Sequence, residues 1–176
     1  MGLDMYLKAK LFTSKYTNKE INAKLWKFAP FKPIENIDTA EISFEAAYWR
    51  KANAIHKWFV DNCQDGNDNG ESYWVSREQI RKLIESCKRT IKVVKSFPMT
   101  KTSIVAGWKD GKEYHEEIEV YDVDEEKIEL KTQSGFFFGS LQYDKWYIKD
   151  LERTIKMLEE CLKIPEEWDF EYYASW

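Results

Sequence analysis

The chain has 176 residues, of which 33% are charged and 16% aromatic, with only 7 Gly and 4 Pro. That balance excludes a disordered tail or a low-complexity repeat, and a chain of this length forms one domain able to bury roughly 70% of the surface that its unfolded form exposes. The net charge of −4 comes from 27 basic and 31 acidic residues mixed along the sequence, which disfavours duplex nucleic acid as a partner.

The chain opens on Leu3, Met5 and Leu7 alternating with Asp4, Tyr6 and Lys8, the period-2 pattern of a half-buried strand. This start lacks a basic stretch followed by an apolar run, and no later segment reaches the ~18 apolar residues that span a bilayer. A cytosolic protein with no membrane contact is therefore expected. Thr17 to Phe31 carries a short helix through Ile21, Leu25 and Phe28, ended by Pro30 and Pro33.

Three longer amphipathic helices follow. The first is read over Phe44 to Asn62, with Tyr48, Ala52, Ile55 and Phe59 on one face. The second starts at Ser76, whose spacing to Gln79 is that of a capping box, and presents Ile80, Leu83, Ile84, Cys87, Ile91 and Val94 until Pro98 stops it. Its outer face is basic, through Arg81, Lys88, Lys92 and Lys95. The third is capped by Asp144 and carries Ile148, Leu151, Ile155, Leu158 and Leu162 as far as Pro165.

Between the last two, Ser103 to Trp108 and Glu113 to Tyr121 flank the turn Lys109-Asp110-Gly111-Lys112 and read as an accessory hairpin over about 103–121. The closing segment Trp168 to Trp176 alternates again and should pair with the first strand. The whole of 1–176 thus reads as a single α+β domain, three main helices packed on a small, mainly antiparallel sheet that includes both termini. Cys63, Cys87 and Cys161 are odd in number and have no CxxC spacing, so they read as reduced, buried thiols.

Two segments carry chemistry. Thr132 to Ser140 combines Gly135 and Gly139 with small polar side chains and the aromatic run Phe136, Phe137 and Phe138, directly ahead of a helix. Glycines let a ligand approach the main chain, and a helix start offers unpaired N–H groups. Along the first long helix, Trp49, Asn53 and His56 lie at the edge of the apolar stripe, with Arg50 and Lys57 beyond them. An aromatic, an amide, an imidazole and two cations suit stacking a base and holding a phosphate or carboxylate. The competing structural reading is a core-edge Trp, a backbone-bonded His and solvated cations beside an ordinary tight turn.

Other patterns fail on inspection. Asp65 to Gly70 begins like a calcium loop, but its twelfth position is Ser76 rather than a bidentate carboxylate. His115-Glu116-Glu117 lacks a second histidine, and neither a GxxxxGK[ST] nor a GxGxxG phosphate loop occurs. No metal, cofactor or catalytic set is expected.

Taken together, the opening Met1 to Leu7, the block Tyr48 to Phe59, the block Thr132 to Ser140 and the closing Trp168-Asp169-Phe170 resemble a widespread family of small, uncharacterised proteins of bacteriophages and prophages. The resemblance covers most of the chain except Pro98 to Glu129 and supplies no catalytic residues. It implies a bacterial host cell as setting and, by analogy with small phage proteins that sequester the nucleotide messengers of bacterial immunity, an anti-defence sponge.

The leading expectation is a non-enzymatic pocket for a nucleotide-like small molecule. Arg50 and Lys57 would meet phosphate, and Asn53, Gln133, Ser134 and His56 would read polar edges. Backbone from Gly135 to Ser140 would contact an anion, Trp49 or Tyr143 would stack, and Asp4 and Tyr6 would close the pocket. A homo-oligomer accommodates eight Trp. The enzyme alternative makes His56 a general acid or base oriented by Asp4 or Asp144, acting on a phosphodiester or glycosidic bond. A third reading is an inhibitor that docks on a host enzyme through the Arg81 to Lys95 face.

Overall fold

The alternation at the start of the chain becomes β1 (Asp4–Thr13). In this computed structural model, which describes residues 2–32, 38–109, 111–135 and 138–176, Leu3, Met5, Leu7, Ala9 and Leu11 are buried on one face of the strand. β1 pairs antiparallel with β2 (Ala40–Arg50) on one side and with β6 (Asp169–Ser175) on the other. The short β3 (Tyr73–Val75) completes a sheet of order β2-β1-β6-β3. Both terminal segments lie in its centre, and the fold is α+β.

Four helices accompany the sheet: α1 (Lys19–Trp26), α2 (Asn53–Cys63), α3 (Arg77–Val94) and α4 (Lys145–Cys161). The capping box of α3 is present, with the Gln79 N–H donating to Ser76 Oγ at 3.1 Å and the Ser76 N–H donating to Gln79 Oε1 at 2.8 Å. Such a cap contributes about 1 kcal/mol. Asp144 caps α4 by accepting from the N–H groups of Trp146 and Tyr147 at 2.8 and 3.0 Å. α3 and α4 pack on each other, and α2 docks on the sheet by stacking Phe59 on Tyr172, ring centroids 3.9 Å apart. None of the described helices is long and apolar enough to cross a membrane.

The structure corrects one element. Phe44 to Arg50 is not the first half of a helix but the end of β2, paired with β1 from Lys8↔Glu45 to Asp4↔Arg50. A bulge opposite Leu7/Lys8 leaves Ala46 without a partner residue, so the period-2 signal slips by one within the strand. Lys51 then takes the left-handed conformation, φ 58°, and α2 begins at Asn53. Tyr48 therefore lies on the outer sheet face, donating to Asp4, while Trp49 turns inward and donates from Nε1 to Thr154 Oγ1 of α4 at 2.8 Å.

β4 (Met99–Lys109) and β5 (Lys112–Tyr121) form the two-stranded hairpin expected from the sequence. It is tied to the body where the Tyr121 N–H donates to the Tyr143 carbonyl at 2.8 Å and the Asp122 N–H donates to the Pro98 carbonyl at 2.9 Å. Position 110 of its turn, Pro33 after the first helix, and Phe136 and Phe137 of the aromatic run lie outside the described residues.

Candidate functional site

The tight passage from β2 into α2 sets one wall of a cleft. Ala52 occupies the cap position of α2 and offers no side-chain hydrogen bond, and the first turn carries no acidic residue. The positive end of this helix thus has no cap or acidic residue of its own, next to Arg50 and Lys51. Across from it runs the 139–142 segment, held by Asn53: the Asn53 amide donates to the carbonyls of Phe138 and Ser140 at 3.2 and 2.9 Å, and its oxygen accepts from the Gln133 N–H at 3.1 Å. All of these bonds are made by one side chain that is 3% exposed. Asn53 therefore staples two segments that are eighty or more positions apart in sequence.

The approach is close because Gly139 permits it. Its φ is +99°, and a Cβ there would stand 2.9 Å from both the Cβ and the carbonyl oxygen of Lys51, a distance no side chain tolerates without movement. Between these walls lies a cleft of about 240 Å³. Arg50, Lys51 and Asn53 contribute from one side, Gly139, Ser140 and Gln142 from the other, and α4 closes it with Asp144, Trp146, Asp150 and Leu151.

α4 supplies the chemistry that sequence reading missed. Trp146 and Asp150 are four residues apart, hence on one helix face. Trp146 is 59% exposed and has the Lys149 ammonium 4.3 Å from its ring centroid. The Asp150 carboxyl receives no hydrogen bond from any described residue. Its burial pushes its pKa up to about 6, with Asp144 adding to the rise and Arg153 opposing it. Asp144, by contrast, is committed to capping.

Of the residues singled out from sequence, Arg50, Asn53 and Ser140 line this cleft. Trp49 is 1% exposed and part of the core. His56 is fully enclosed, with Nδ1 at 2.8 Å from the Tyr172 hydroxyl and Nε2 at 3.0 Å from Asp68, so its carboxylate partner is neither Asp4 nor Asp144. Lys57 points instead to Asp61, 2.8 Å away. Gln133 contributes its backbone to the Asn53 staple, and Ser134 and Gly135 are exposed outside the cleft. At Gly135 a Cβ would lie 2.4 Å from the Phe138 ring, which gives this glycine a packing role.

Tyr143 is buried, donates to Glu125 at 3.0 Å and accepts from the Thr132 N–H at 3.3 Å. Asp4 and Tyr6 lie on the outer sheet face, where Tyr6 stacks on Tyr173 at 5.1 Å and Arg50 Nε stands 4.0 Å from Asp4. That leaves Arg50 at the rim, between cleft and sheet.

Among the described residues no group of three or more His, Cys, Asp or Glu is arranged to hold a metal ion. The basic face of α3 is partly neutralised, since Lys88 meets Glu85 and Glu159 at 3.4 Å each and Lys95 meets Glu152 at 2.8 Å. No family model, no curated protein and no solved structure matches this chain.

Proposed function

We propose that this protein binds a nucleotide-derived small molecule in the cleft between the β2–α2 junction and α4, holds it without turnover, and serves a phage-type anti-defence role by sequestering an immune signal. The observation that carries this reading is the polarity of the cleft. Its lining gathers Arg50, Lys51 and the uncapped start of α2, which suits a phosphate. The same lining presents an exposed indole and a carboxyl that accepts from no described residue, which suits a ring with polar edges. A ligand matched to this lining carries an anionic group and a flat, donor-bearing heterocycle.

Binding rather than catalysis is favoured by how the reactive groups are placed. His56 is sealed and fully engaged, and His115 lies on the hairpin. Asp150 alone favours the enzyme alternative, because a carboxyl pushed up to about 6 in a cleft is a candidate general acid. Glycosidic cleavage needs a second carboxylate, and Asp144 is held by two backbone N–H groups. A self-assembled form belongs to the same proposal, with Trp74 and Trp108, 63% and 69% exposed, as candidate contacts.

Equilibrium dialysis against a panel of mononucleotides and cyclic dinucleotides, followed by heat release and chromatography, tests this reading. Stoichiometric retention with intact ligand recovered is expected, and Arg50→Glu/Lys51→Glu should weaken retention at least about tenfold. Recovery of a cleaved ligand would favour the enzyme alternative, and no retention would end the proposal.

A further inference from the structure

Resting on that reading of the cleft, we infer that Asp150 selects the base: the ligand carries a guanine-type ring whose adjacent N1–H and N2 amino groups both donate to the Asp150 carboxylate while the ring lies against Trp146. Three observations lead there. Asp150 lines the cleft one helical turn beyond Trp146, so indole and acceptor share one wall, and a base stacking there displaces the Lys149 ammonium wherever it takes the same ring face, 4.3 Å from the centroid. No described residue donates to its carboxylate, so the acceptor is available to a ligand. Burial holds the group in surroundings that penalise an unpaired charge, so a pair of donors arriving together removes a cost as well as adding bonds.

The choice of ring follows from donor geometry. A carboxylate presents two acceptor oxygens side by side and accepts best from two parallel donors. Guanine has such a pair on its Watson–Crick edge. Adenine and cytosine each place an amino group beside a ring nitrogen lone pair, which repels a carboxylate. Uracil and thymine flank their single N–H with two carbonyl oxygens, so they are rejected more strongly still. A site that hydrogen-bonds a specific donor discriminates against analogues lacking it far more sharply than an apolar pocket does.

The experiment compares GMP, IMP and AMP, which share sugar and phosphate, by calorimetric or NMR titration of the wild type and of Asp150→Asn. Hypoxanthine keeps the N1–H and loses the amino group, so it separates one bond from two. The expected order is GMP tightest, IMP intermediate and AMP weakest, with GMP over AMP by about tenfold or more. Asp150→Asn should weaken GMP by a similar factor and tighten AMP, because the amide oxygen accepts from the adenine amino group while the amide N–H donates to the adjacent ring nitrogen that the carboxylate repels, with near-native circular dichroism showing that the variant folds. If all three bind alike in both proteins and Arg50→Glu weakens them equally, the base assignment is wrong while the nucleotide cleft stands. If none binds at millimolar concentration, the nucleotide reading falls and this inference with it.

Discussion

Two polar clusters on α2, three residues apart, teach opposite lessons. Asn53 and His56 are both buried polar side chains, on the same helix and facing nearby segments. His56 is closed on both sides, by the Tyr172 hydroxyl and by Asp68. The imidazole joins β6 to the 64–70 loop and has no valence left for a ligand. Asn53 is equally well bonded, yet its bonds tie together two chain segments whose other groups remain open to the cleft. A reactive residue type does not make a site; unmet hydrogen-bonding capacity facing an accessible space does.

The largest test of that division is His56→Ala. It strands the Tyr172 hydroxyl in the core and opens a cavity there, while Asp68 turns to water, and should cost roughly 2–4 kcal/mol in urea unfolding, with nucleotide affinity unchanged where the variant remains folded. Lost affinity in a folded variant would erase the distinction between the clusters. Gly139→Ala comes next. Its positive φ and the 2.9 Å approach to Lys51 should cost about 1–3 kcal/mol and, unlike the His56 change, should weaken binding by moving the cleft wall.

Asp150→Asn should stabilise. Burial raises the folded-state pKa from 3.8 to about 6, so the native state binds this proton more tightly than the unfolded chain does. Stability therefore declines as pH rises through that interval and is flat above it. The asparagine variant removes the decline, gaining on the order of 1 kcal/mol at pH ~7.5 and nothing near pH ~4. Thermal melts at both values check this, and equal melts at the higher pH would place Asp150 in water.

The smallest expected effect is at the thiols. Burial pushes Cys63 and Cys87 up to about 12 and Cys161 to about 11, so a thiolate-directed reagent should leave all three unmodified at neutral pH until the protein unfolds. Rapid labelling of the native protein would show that the α2 end carrying Cys63 opens.

Much of the fold is written locally. Alternation gives β1 and β6, the Ser76 and Asp144 caps give α3 and α4, and a glycine-bearing turn gives the hairpin. The β2–α2 junction is not, because the bulge at Ala46 breaks the alternation and Tyr48, Ala52, Ile55 and Phe59 keep helical spacing across a real boundary. The candidate site divides in the same way. The convergence of the 50–53 and 139–140 segments follows residues whose types looked unusual. The commitment of His56 depends on Tyr172, 116 positions away, which no local pattern reports. Asp150 resembles any solvated position of an amphipathic helix, and only the packing of α4 against the β2–α2 turn gives it an environment of its own.

The most direct test of the cleft as the binding site is a map of backbone and indole chemical shifts on titration with GMP. Perturbations are expected to concentrate at Arg50, Asn53, Gly139 and Asp150 and at the Trp146 indole, with the Tyr6–Tyr173 face of the sheet unchanged. Shifts centred on that sheet face, or on the hairpin, would contradict it.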